Sequence, residues 1–77
     1  MSTNSQPVYV ECYSGQRYAV RPRSFLWQGA RHSIKQIESE WLEPGQRHFR
    51  VLTIDDDRFE LVYNEQNDIW EAVQLIG

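Results

Sequence analysis

The chain is poor in the residues that staple, ligate or activate. It has one cysteine, Cys12, so no disulfide can close within it and no cysteine-based structural zinc site can form. That scarcity suits a reducing, cytoplasmic setting. No apolar run approaches the ~18 residues a membrane-spanning helix needs, so no membrane partner is expected. The first seven residues have neither a basic start nor a hydrophobic stretch, and do not read as a secretory leader. The four glycines, at positions 15, 29, 45 and 77, are dispersed and make no phosphate-cradling loop. There is no internal repeat and no low-complexity segment.

What the chain does have is aromatic and apolar material. Three Trp, four Tyr and three Phe lie in 77 residues of which 40% are hydrophobic. That is enough for one small core and too much for a disordered chain. The net charge of −3 argues against non-specific nucleic-acid binding. Its distribution is uneven. Residues 1–35 hold five basic side chains against the single acid Glu11, whereas residues 36–77 hold three against ten acids. Such asymmetry either marks an interaction surface or is mixed away by folding into paired surface charges.

Short apolar runs alternate with turn signals, the pattern of an all-β chain. Residues 1–7 are polar, end in Pro7, and read as a disordered tail ahead of a single domain over 8–77. Val8, Val10 and Cys12 alternate with Tyr9, Glu11 and Tyr13 in a first strand. Residues 17–23 are ambiguous, because Pro22 lacks an N–H and suits an edge or a loop. Phe25 and Trp27 share one face of a strand over 24–28, and Gln28-Gly29 forms a tight turn. Pro44-Gly45 is the next stop. Strands follow over 47–54, around Phe59, Leu61 and Tyr63, and over 69–76, with a hairpin turn at Asp55–Asp57. The expected core is Val10, Cys12, Phe25, Trp27, Ile34, Ile37, Trp41, Val51, Leu61, Trp70 and Ala72.

Residues 33–43 support two readings. Ile34, Ile37, Trp41 and Leu42 fall on a helical stripe, and Ser33 with Gln36 makes a capping-box pattern. Alternatively, one long strand carries a bulge between Ile34 and Ile37, which would put Ile37, Ser39 and Trp41 on a common face. The two-residue turn before it feeds a hairpin partner and favours the strand.

Arg21-Pro22-Arg23-Ser24-Phe25-Leu26-Trp27-Gln28-Gly29, continued by Ile34, Ile37 and Trp41, resembles a family of small uncharacterised bacterial domains. Phe49-Arg50-Val51, an acidic turn, Phe59-Glu60-Leu61 and a closing Trp70 extend the resemblance over most of residues 9–75. Members occur alone or beside a degenerate Y-family polymerase of DNA-repair and mutagenesis cassettes. The resemblance implies a β domain linked to DNA repair, favours the strand over 33–43, and brings no catalytic residue. This chain departs from the pattern in its acidic second half and in lacking a glycine at Asp55–Asp57. The expected architecture is an antiparallel meander of about five strands bent into an SH3-like or small barrel-like sheet.

Little in the sequence suggests chemistry. Cys12, His32 and His48 lie 20 and 16 residues apart, with no pair at metal-ligand spacing. Cys12, in phase with Val8 and Val10, reads as a small buried hydrophobe. The three aspartates at 55–57 lack the alternation, central Gly and terminal Glu of a calcium loop. Neither an enzyme, a cofactor nor a metal site is expected. The best binding candidates are Arg17, Tyr18, Arg21, Arg23 and Arg31, interleaved with Phe25 and Trp27. Arginine and aromatic side chains together serve protein-interface hot spots and single-stranded nucleic acids alike. In the competing reading Phe25 and Trp27 are core, Tyr18 is a half-buried cover, and the arginines pair with the acids of residues 36–77. A protein-docking module is the first expectation and single-strand binding through 17–31 the alternative.

Overall fold

A computed structural model describes residues 5–12 and 21–75. All of its regular elements are strands: β1 (Gln6–Val8), β2 (Val10–Cys12), β3 (Pro22–Trp27), β4 (Ala30–Glu43), β5 (Gln46–Thr53), β6 (Arg58–Asn64) and β7 (Ile69–Leu75). Each pairs antiparallel with its neighbours in the order β1-β7-β6-β5-β4-β3-β2. The all-β expectation holds, with seven strands in place of about five, and the helical alternative for 33–43 falls because those residues lie in β4.

Local chemistry sets the corners. Gln28 and Gly29 have φ of 51° and 82°, the doubly positive turn that matches the twist of β3 and β4. At Pro44-Gly45 the proline fixes one corner and Gly45 takes φ 76° at the other. The aspartate turn needs no glycine because Asp56 adopts φ 68°. Thr53, fully buried, steadies that turn: its hydroxyl accepts from the Asp57 N–H at 3.1 Å. Asn64 closes the β6–β7 turn by accepting the N–H groups of Gln66 and Asn67 through its side chain, at 3.0 and 3.1 Å.

The sheet is nearly closed by its first segment. β1 pairs with β7, with Gln6 opposite Ala72 and Val8 opposite Trp70. After Tyr9 the chain pairs on the other side, β2 with β3, with Val10 opposite Phe25. The Tyr9 carbonyl accepts the Leu26 N–H at 2.9 Å, so Tyr9 sits at the seam itself. The first strand therefore begins at Gln6, inside the segment expected to be a tail, and Pro7 is tolerated opposite Glu71.

Phe25, Trp27, Phe49, Val51, Phe59, Leu61, Trp70 and Ala72 fill the interior, with Val8, Val10, Ile34, Ile37 and Tyr63 packed against them. Two core expectations are corrected. Cys12 is exposed, because a register shift between Glu11 and Cys12 breaks the alternation that Val8 and Val10 begin. Trp41 lies on the outer face, stacked on His48. The reason is a second irregularity in β4. Register shifts fall between Ile34 and Gln36 and again between Ile37 and Ser39, so Ile34 and Ile37 face in while Ser39 and Trp41 face out. The two extra residues are charged and tied to the β5–β6 hairpin. Lys35 lies 3.4 Å from Asp56, and Glu38 takes both Nε and a terminal nitrogen of Arg58, at 3.0 and 3.3 Å. Phe49 and Phe59, absent from the expected core, are two of its central rings.

Candidate functional site

Of the five sequence-derived binding residues, Arg17 and Tyr18 lie outside the described residues. The other three are exposed near the β2–β3–β4 surface. Arg21 approaches Glu40 at 3.9 Å. Arg31 pairs with the Glu11 carboxylate and reaches the Ser24 hydroxyl, which itself donates to Glu11 at 2.9 Å. Arg23 lines a shallow depression with Tyr9, Val10, Glu11 and Cys12. Phe25 and Trp27 are buried in the core. Arg21 thus matches the reading in which arginines pair with acids of residues 36–77, whereas Arg31 pairs with Glu11, the single acid of its own half.

The surface feature that stands out was not among the sequence-derived residues. Leu26, Tyr9 and Ile69 are large apolar side chains exposed at 43%, 65% and 45%. They form one outward row across the seam. Leu26 is bonded through its N–H to Tyr9, and Tyr9 follows Val8, which faces Trp70 beside Ile69. The row is flanked by two hollows. One, about 130 Å³, is lined by Tyr9, Leu26, Phe25, Ser24, Glu11 and Arg31. The other, about 340 Å³, is lined by Val8, Tyr9, Val10, Ile69, Trp70 and Asp68. The signal was present in the sequence. Each of the three is an apolar residue one step from an inward-facing neighbour, so alternation forces it outward.

The ends of the row differ in charge. Arg31 stands opposite Leu26 in the β3–β4 ladder. Asp68 precedes Ile69 and Glu71 follows it on the outer face. Asp68 accepts the Tyr63 hydroxyl at 2.6 Å, and this bond, with partial burial, raises the Tyr63 pKa above its ordinary value. Partial burial of the Cys12 sulfur and the charge of Asp68 likewise raise that thiol's pKa, which disfavours the nucleophilic thiolate.

A second outer cluster surrounds His48. Its ring lies parallel to Trp41 with centroids 5.1 Å apart, and Arg50 sits 5.9 Å from the Trp41 ring. Its Nδ1 is 3.1 Å from Glu60 and its Nε2 3.1 Å from Glu43. These contacts clamp β4, β5 and β6 together and leave both ring nitrogens engaged. Among the described residues, no group of three or more His, Cys, Asp or Glu side chains is placed to hold a metal ion. Alternation in the sequence places His48 and Glu60 outward, but Glu43 reaches them only because the second β4 irregularity turns Trp41 and Glu43 to the outer face. Comparison of the chain with protein-family models, curated proteins and solved structures returns no match.

Proposed function

We propose that the protein is a small docking module that binds another protein through the Leu26–Tyr9–Ile69 row. The observation that carries this reading is the row itself. Three exposed apolar side chains at one seam present a surface on the order of 300 Å², the scale at which patches on small proteins tend to be functional. A tyrosine at the centre supplies a large, rigid contact at low entropy cost. The family resemblance suggests DNA repair as the setting.

The experiment is site-specific photo-crosslinking in the cells that make the protein. A benzophenone side chain at position 26 should yield a protein adduct, while one at position 42, where Leu42 is exposed away from the row, should not. No adduct from position 26, or equal adducts from both, refutes the reading.

One observation favours a second reading, single-strand nucleic-acid binding. Arg23 and Tyr9 line the same depression, and an arginine beside an exposed aromatic ring is a pairing that single strands use. Fluorescence anisotropy of a labelled oligonucleotide should then show binding that weakens steeply with salt. Unchanged affinity after Arg21→Ala and Arg23→Ala together would remove this alternative.

A further inference from the structure

The docking row has two properties that together specify its occupant. The first is shape. Tyr9 projects from the seam with a hollow on either side of it. The larger hollow has apolar walls from Val8, Val10, Ile69 and Trp70, and a single carboxylate, Asp68. Apolar walls with one acceptor match a phenol, whose ring is hydrophobic and whose O–H donates. Tyr63 uses one Asp68 oxygen. A carboxylate has lone pairs for more than that one bond. The surface therefore carries both a projecting tyrosine and a receptacle suited to one.

The second property is charge. Arg31 lies at the Leu26 end of the row, and Asp68 and Glu71 lie at the Ile69 end. A two-fold axis near Tyr9 would run two rows antiparallel. Leu26 of each copy would then meet Ile69 of the other, and Arg31, whose charge Glu11 balances at the Leu26 end, would meet the acids Asp68 and Glu71. Arg31 gives one terminal nitrogen to Glu11 and Nε to Ser24, and a guanidinium has five donors, so it can serve a further carboxylate. Self-complementarity about an axis is what an isologous interface requires.

We propose that the occupant of the row is a second copy of this chain, with Tyr9 of each copy seated in the Val8–Val10–Ile69–Trp70 hollow of the other and its hydroxyl donating to Asp68. This rests on the docking reading and names its partner. The contact is small against the ~800 Å² per partner of a standard interface, so the dimer is weak and dissociates on dilution.

Sedimentation equilibrium of the purified chain up to about 1 mM, a range that captures affinities near −4 kcal/mol, provides the test. The expected result is a monomer–dimer equilibrium. Tyr9→Ser, which removes a central aromatic anchor from each copy, should weaken it about a hundredfold or more. Tyr9→Phe, which removes only the hydroxyl and so one hydrogen bond from each copy, should weaken it about 25-fold, about fivefold for each of the two bonds. Both variants should keep the wild-type thermal melt, because the fold uses the Tyr9 carbonyl and not its side chain. A dimer that persists in Tyr9→Ser overturns the proposal. So does a monomer across the whole range. In that case an adduct from position 26 to a different protein leaves the docking reading standing, and no adduct removes both.

Discussion

Phe59 is the side chain on which the interior turns, and replacing it with leucine gives a quantitative check on the packing. It is fully buried. Its ring meets Phe25 edge-on at 4.9 Å and 69°, and Trp27 at 5.2 Å and 70°. Edge-to-face pairs of this kind contribute about 0.5–1.5 kcal/mol each beyond burial. Leucine refills much of the space, so the cavity term is smaller than in truncation to alanine, which costs ~3–5 kcal/mol. Phe59→Leu should therefore destabilise by about 2–3 kcal/mol. A domain of this size has roughly 4–12 kcal/mol in total, so the variant still folds. The assay is urea unfolding followed by tryptophan emission, since Trp27 and Trp70 are buried reporters. The midpoint should fall with an unchanged slope, and Tm should drop by on the order of 10 °C. Ile54→Ala, at an exposed position, serves as the control and should stay within about 0.5 kcal/mol. A loss under about 0.5 kcal/mol for Phe59→Leu would mean that the ring contacts are not what organises the interior.

Two further outcomes follow from local geometry. Gly45→Ala should cost about 1 kcal/mol in the same urea assay, although no atom lies within 4 Å of the added Cβ, because φ is +76° there. Tyr63 should ionise above the ordinary tyrosine range, read as tyrosinate absorbance in the ultraviolet, because its bond to Asp68 raises its pKa. The neutral phenol is the form the fold favours, so this stability is full below the unfolded pKa of about 10 and is lost as pH rises through the higher folded value. Tyr63→Phe should remove both the late ionisation and this alkaline loss.

The sequence was most legible where one rule acted alone. Phe25 and Trp27 alternate with Leu26, Gly29 supplies a left-handed corner, and β3 with its turn appears as expected. It was least legible where two irregularities compound. Each bulge in β4 adds one residue to a spacing of two, so the inward pair Ile34 and Ile37 are three apart and mimic a helical stripe. The sequence predicts one bulge, between Ile34 and Ile37. The second, at Glu38, reversed the face of Trp41, and nothing in its charge or size distinguishes Glu38 from its neighbours. Cys12 failed for the same reason at Glu11. The binding candidates rest on a different kind of signal. An arginine's charge suits a binding partner and a neighbouring acid alike, as Arg21 beside Glu40 and Arg31 beside Glu11 show. Exposed Tyr9, Leu26 and Ile69 are visible only once each strand's inward phase is fixed.

The change of neighbours at Tyr9 also bears on the order in which the molecule can be assembled. β2 pairs with β3, only about a dozen residues further along, whereas Gln6 must wait for Ala72. On a chain synthesised from its N-terminus, β2–β3 can form while β7 does not yet exist. Gln6–Val8 then remain unpaired until β7 has been made. Closure is thus the most non-local step in the fold and carries the largest loop-closure entropy. Until it occurs, Val8 has no Trp70 to face, and one side of the interior stands open to solvent.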